Sequence, residues 1–315
     1  MTDPQLGVLL IGFLLVLIAL RVPIGAALVA VPFIGIYLLF GWKPAIGALK
    51  IIPYSFAANW QLSSVPMFLM MGFLAYHTGI TRGLFQAARM WLARLPGGLA
   101  VPSIFGAAGF ASVTGSSVAC AAAMGRIAVP EMLRQGYDDR LATGTVAAAG
   151  TIGALIPPSI LLIIYGIIAQ VPISPLFIAA VSAGLLTTFS YVLVVIIWAR
   201  INPAVAPRVD EHYSLGERIR VLIQVGPVIL LAILVFGGLF LGVFTPTEAG
   251  AVGAVLCAVI ALFNGTLTWA RFRISLIESF TTTSAIFVIA IGANLLGRFV
   301  TLTGADAYIS ETIIG

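Results

Sequence analysis

Charge is what this 315-residue sequence most lacks: only 9% of its side chains are Asp, Glu, Lys or Arg. A soluble domain carries about 25%, so a water-facing globule is excluded. Cysteine is scarce too. Cys120 and Cys257 lie far apart in apolar stretches, which excludes a disulfide framework or a cysteine metal cluster and leaves both as small core residues. The two histidines, His77 beside an apolar run and His212 in a polar stretch, read as interfacial or solvated. No metal-ligand spacing, nucleophile–His pairing or Gly-rich phosphate loop with Lys occurs, so no enzyme constellation is present. The net charge of +5 comes from scattered basic residues rather than a basic face interleaved with aromatics, which excludes nucleic acid as a partner.

What is present is apolar. Hydrophobic residues make up 61% of the chain, and the mean hydropathy is +1.13. Counted in spans of about 20 residues, the chain has room for roughly seven or eight membrane crossings and for segments that enter and turn back. Apolar segments run over 6–20, 24–40, 65–76, 101–129, 141–168, 175–199, 221–243, 247–263 and 281–302. The expected fold is therefore an all-α polytopic membrane protein. Asp3 precedes the first run and no basic stretch does, so that run reads as a retained span rather than a signal peptide. The one long polar linker, 201–219, holds Asn202, Pro203, Pro207, Asp210, Glu211 and Glu217 and divides a first repeat, 1–200, from a second, 220–315. The stretch 269–279, with Arg271, Arg273 and Glu278, reads as an amphipathic interfacial helix.

Basic residues orient the chain. If 101–129 is a re-entrant hairpin, its flanks share one side, with Arg82, Arg89 and Arg94 before it and, at its far end and beyond, Arg126, Arg134 and Arg140. Propagating the crossings adds Arg21, Arg200, Arg208, Arg218, Arg220, Arg271 and Arg273 to that side, leaving only Lys43, Lys50 and Arg298 elsewhere. The rule that cytoplasmic loops are basic thus favours a hairpin over a single span and predicts a periplasmic N-terminus. An internal echo accompanies this. The stretch 65–74 with Thr78 and Gly79 resembles 285–294 with Thr303 and Gly304, and the two run in opposite directions under this topology. Inverted repeats with a site at their interface are a common transporter plan.

Two segments carry the chemistry. At the hairpin tip, 112–117 reads Ser-Val-Thr-Gly-Ser-Ser, where small and hydroxyl residues replace Leu and Ile. Such a tip can offer carbonyls to a cation and N–H groups, hydroxyls and a helix N-terminus to a carboxylate, or it can be a small-residue helix contact. In the next segment, 150–159 reads Gly-Thr-Ile-Gly-Ala-Leu-Ile-Pro-Pro-Ser. Its double proline breaks the helix and frees carbonyls that, with Thr151 and Ser159, suit a hard monovalent cation, or else it is only a kink. Almost no charge sits in mid-span, so Asp, Glu or His proton relays have little to work with. Glu248 reads as a helix-start residue beside Thr245 or Thr247 and Pro246. Arg298 reads as snorkelling to the interface, with substrate binding as the other reading.

These residues carry a resemblance. The stretches 115–119 (Gly-Ser-Ser-Val-Ala), Gly125 with 130–132 (Pro-Glu-Met), 136–138 (Gly-Tyr-Asp), 150–153, 156–160 with Tyr165 and Gly166, and 245–249 (Thr-Pro-Thr-Glu-Ala) occur in the order found in the large, DctM-type membrane subunit of tripartite ATP-independent periplasmic (TRAP) transporters. The resemblance spans essentially the whole chain. It implies a sodium-coupled importer of organic acids such as C4-dicarboxylates, sialic acid or other sugar acids, located in the bacterial inner membrane. It also implies two partners, a small four-helix membrane subunit and a periplasmic solute-binding protein, and an elevator-type transport domain.

Carried over by residue, Ser116, Ser117 and Ser159 would bind substrate, and Thr114, Gly115, Ser116, Thr151, Gly153 and Pro157 would bind sodium, with no other cofactor. Members of the family run longer, so a second hairpin is expected beyond this sequence, which leaves the second repeat incomplete and transport by these residues alone unexpected. Two readings compete with this one. The first is an anion symporter or proton antiporter of similar hairpin fold that needs no binding protein. The second is a structural membrane subunit that transports nothing.

Overall fold

The computed structural model describes residues 3–207 and 213–314 and, among them, contains helices and no strand. The polar-linker residues Arg208, Asp210, Glu211 and His212 lie outside the described residues. Two compact units form, one from the described residues up to Trp60 and from Phe280 onward, the other from Gln61–Ser279.

In the first unit, α1 (Asp3–Ala19), α2 (Ile24–Phe40) and α3 (Trp42–Ala57) follow the chain. Leu10, Leu14, Val31 and Ile36 pack with Leu295 and Phe299 into its core. Helix α3 was not among the apolar segments. Its Lys43 and Lys50 interrupt the hydropathy signal without interrupting the helix, which also accommodates Pro44 in its first turn, where no N–H is required, and Pro53 in its interior.

The second unit runs through α4 (Ser64–His77), α5 (Gly83–Leu92), α6 (Ala100–Thr114), α7 (Ser117–Arg134), α8 (Asp139–Thr151), α9 (Ile160–Ile168), α10 (Ile173–Ile201), α11 (Leu215–Phe240) and α12 (Pro246–Phe263). Helix α13 (Trp269–Thr303) belongs to this unit as far as Ser279, and α14 (Ala305–Ile314) follows it. The stretch expected as a separate interfacial helix and the span after it are thus one 35-residue helix. No Gly or Pro stands between Trp269 and Ile291 to end it, and the run Ser279-Phe-Thr-Thr-Thr-Ser284 stays helical.

Among the described residues four helices, α10 to α13, are long and apolar enough to cross a membrane. With 29 residues, α10 extends about 43 Å at 1.5 Å per residue, more than the roughly 30 Å hydrocarbon core. Its outward positions are mostly apolar: Leu186, Phe189, Leu193 and Val194 are all exposed, and the exposed Ser182 and Ser190 donate their hydroxyls to carbonyls of the same helix. That is the pattern of a lipid-facing surface, and the protein is an integral membrane protein. Helix starts are specified locally. At α12 the Thr245 hydroxyl accepts from the Glu248 N–H while the Glu248 carboxylate accepts from the Thr245 N–H, with Pro246 in the first turn. This bears out the structural reading of Glu248. The same reciprocal cap joins Ser214 and Glu217 at α11.

The hairpin is held at its base. The Tyr137 hydroxyl accepts from the Leu99 N–H at 2.8 Å and donates to the Pro207 carbonyl at 3.2 Å. Arg89 of α5 pairs with Glu131 of α7 at 2.8 Å. A charge pair this well enclosed needs good geometry to offset desolvation, and here it fixes the α7 arm against α5. Leu99, Ile104, Met132 and Leu141 close the core behind both arms.

Candidate functional site

The region 101–129 is a helical hairpin, and its reversal takes two residues. Helix α6 ends at Thr114, and Gly115 adopts φ +60°, the left-handed conformation that glycine reaches without steric cost. Ser116 is extended and starts α7: its hydroxyl accepts from the Ala119 N–H at 3.3 Å and its carbonyl from the Cys120 N–H at 3.0 Å. The arms lie close enough for the Cys120 thiol to donate to the Ala107 carbonyl at 3.4 Å.

The double proline interrupts the next segment. Helix α8 stops at Thr151, a short 3-10 turn covers Ile152–Ala154, and helix resumes only at Ile160. Ser159 repeats the role of Ser116. It is extended, accepts from the Leu162 N–H at 3.4 Å, and accepts at its carbonyl from the Ile163 N–H at 3.1 Å. It also donates to the Ala154 carbonyl at 2.6 Å, which clamps the unwound stretch. The carbonyls of Pro157 and Pro158 accept no backbone hydrogen bond among the described residues.

Tip and break meet backbone to backbone. The Ile160 N–H donates to the Gly115 carbonyl at 3.4 Å. A Cβ on Gly115 would collide with the Pro158 carbonyl, and one on Gly153 would stand 2.9 Å from the Ser116 carbonyl oxygen and 3.0 Å from the Ser117 Cα. Glycine is therefore needed on both sides of the contact. The result sets the N-termini of α7 and α9 beside the carbonyls of Pro157 and Pro158, while those of Gly115 and Ser116 are taken by the Ile160 and Cys120 N–H groups. Helix N-termini carry partial positive charge and free N–H groups, which favour an anion, while carbonyl and hydroxyl oxygens favour a hard cation.

The residues predicted from sequence fall into two groups. Thr114, Gly115, Ser116, Ser117, Gly153, Pro157 and Ser159 lie on the abutting tip and break. Thr114 is buried, with its hydroxyl donated to the Phe110 carbonyl at 3.1 Å. Thr151 is exposed, and its hydroxyl turns to Ala148 at 2.7 Å and to Tyr191 of α10 at 3.0 Å rather than to the tip. Arg298 is exposed on α13 in the other unit.

Sequence reasoning missed the surroundings of the tip. A cavity of about 650 Å³ includes Gly72, Thr114 and Ser116 at one end, and His77, Arg126 and Glu278 at the other. Its wall from α4 approaches so closely that a Cβ on Gly72 would stand 2.8 Å from the Thr114 Cα. A signal for this existed, because Gly72 lies within the internal echo. Its counterpart Gly292 is an equally tight contact, where a Cβ would meet the Leu28 Cβ at 2.6 Å. His77 and Glu278 pair at 2.8 Å across 201 residues of sequence, which no local pattern could indicate.

Comparison with known proteins identifies the family. The family described as the tripartite ATP-independent periplasmic transporter, DctM component, matches residues 11–315. The C4-dicarboxylate TRAP transporter large permease protein DctM of Pseudomonas aeruginosa is 36% identical over 220 residues, covering 70% of this chain and 51% of that protein. The protein of the same name from Vibrio cholerae is 30% identical over 259 residues, covering 82% and 55%. The sialic acid TRAP transporter large permease protein SiaM of Vibrio cholerae is 32% identical over 248 residues, covering 77% and 56%. The chain thus spans just over half the length of each of these relatives.

Proposed function

Since the chain belongs to the DctM component family of tripartite ATP-independent periplasmic transporters, a family of transporter permeases and not of enzymes, we propose that it carries one half of the translocation site of a sodium-coupled importer of an organic acid. The observation that carries this reading is the contact between Gly115 and the Pro157–Ser159 break. Thr114, Gly115, Ser116, Gly153 and Pro157 would offer oxygens to sodium, while Ser116, Ser117, Ser159 and the two helix starts would receive the carboxylate. Thr151 would join the sodium ligands only if its hydroxyl left Tyr191. Sodium is the coupling ion, and no other cofactor is needed. The candidate substrates are C4-dicarboxylates and sialic acid, for each of which a relative is named.

In this reading 1–200 and 220–315 are inverted repeats about the cytoplasmic linker 201–219. The N-terminus is periplasmic, in the bacterial inner membrane. The partners are a small four-helix membrane subunit and a periplasmic solute-binding protein, and the hairpin moves in elevator fashion. The test is uptake into proteoliposomes holding the complete permease with both partners. Uptake of labelled C4-dicarboxylate or sialic acid is expected to require an inward sodium gradient and the binding protein. Uptake that persists without the binding protein, or with potassium replacing sodium, would overturn the proposal.

A further inference from the structure

The cavity that starts at the hairpin tip ends among cations that the proposed site does not use. Arg126, ten residues along α7 from Ser116, stands about 15 Å from the tip at 1.5 Å per residue. Arg82, just before α5, lines the same cavity. Both side chains are exposed, and among the described residues neither guanidinium has an ion-pair or hydrogen-bond partner. The one carboxylate on the cavity wall, Glu278, is taken up by His77 at 2.8 Å, and nearby Glu131 is held by Arg89. The rule that cytoplasmic ends are basic explains cations at a membrane edge. It does not require two unpaired ones to share a cavity with the tip, in a chain where only 9% of residues are charged.

We propose that Arg82 and Arg126 form a second anion station, a vestibule that receives the carboxylate of the organic acid after it leaves the tip. The inference rests on the reading of function above and deepens it. Guanidinium suits this task because its planar fork engages a carboxylate through two hydrogen bonds. Its exposure keeps the interaction weak, as a station on an exit path must be, since tight binding there would trap the ligand. A cationic wall in a cavity also raises the local concentration of anions and does so less as salt is added.

The experiment is sided kinetics of the complete transporter in proteoliposomes. Half-saturation for labelled C4-dicarboxylate exchange is measured from the internal and the external face. The ratio of internal to external half-saturation is expected to rise about fivefold in Arg126→Gln or Arg82→Gln and at least about tenfold in the double variant, with Arg126→Lys restoring it only in part, since it keeps the charge and loses the fork. The wild-type internal value is also expected to weaken with ionic strength and that of the double variant to stay nearly flat. The single variants keep the test decisive should the double variant fail to assemble. Normal flux with an unchanged ratio would overturn the vestibule alone. Absence of organic-acid flux in the wild type would remove the proposed function, and the vestibule with it.

Discussion

At the scale of single residues, the account depends on glycines that no other side chain can replace. Gly115 is constrained twice, by its left-handed φ of +60° and by the Pro158 carbonyl on the side where a Cβ would stand. The conformational cost of Gly115→Ala alone is about 1–2 kcal/mol, before any displacement of the break. Gly144 of α8 offers the contrast, because a Cβ there meets nothing within 4 Å. Gly144→Ala should be neutral or stabilising by up to about 1 kcal/mol, since alanine is the better helix former. Thermal unfolding of the purified permease checks both: Gly115→Ala is expected to lower the midpoint and abolish uptake, and Gly144→Ala to do neither. The serines and glycines of 112–117 and 150–159 were legible from type alone, because hydroxyl and small residues stand out in an apolar run. What each hydroxyl bonds to was not legible. Thr151 looked equivalent to Thr114, yet it turns toward Tyr191, forty residues away in sequence.

At the scale of elements, breaks were easier to read than joins. Two consecutive prolines cannot sit in the interior of a continuous hydrogen-bonded helix, so the gap between α8 and α9 followed from sequence. The continuity of α13 did not, because a change from amphipathic to apolar character resembles a boundary although nothing in the backbone ends the helix there. Helix α5 was missed for a similar reason, being too short and too polar on one face to register as a span. The break also makes a prediction. Pro157→Ala with Pro158→Ala restores two backbone N–H groups and lets helix extend toward Ser159, which withdraws the free carbonyls from the tip. Sodium-driven uptake should fall by on the order of a hundredfold, as expected for misplacing a binding geometry by about 1 Å, while the complex still assembles on size exclusion. Retained uptake would show that the unwound stretch is only a kink.

At the scale of the whole molecule, composition announced a membrane protein, while the close approach of distant segments came only from the folded chain; the orientation proposed from charge distribution is a matter for experiment. Orientation can be tested with little background, because the native Cys120 and Cys257 are both buried. A membrane-impermeant maleimide should label Asp3→Cys from the periplasmic side and Gln135→Cys, in the turn after α7, only after permeabilisation. The reverse pattern would invert the topology and place the vestibule arginines on the wrong face.

The central claim, that the hairpin tip and the proline break together hold a cation and a carboxylate, is tested most directly by protection of the cavity wall beside them. Ala119 lines the cavity one turn into α7 and carries no proposed ligand. In the complete permease, the rate of maleimide modification of Ala119→Cys should drop roughly tenfold with sodium and organic acid at about ten times their dissociation constants, and should not drop when potassium replaces sodium. An unchanged rate with saturating sodium and substrate would contradict the account.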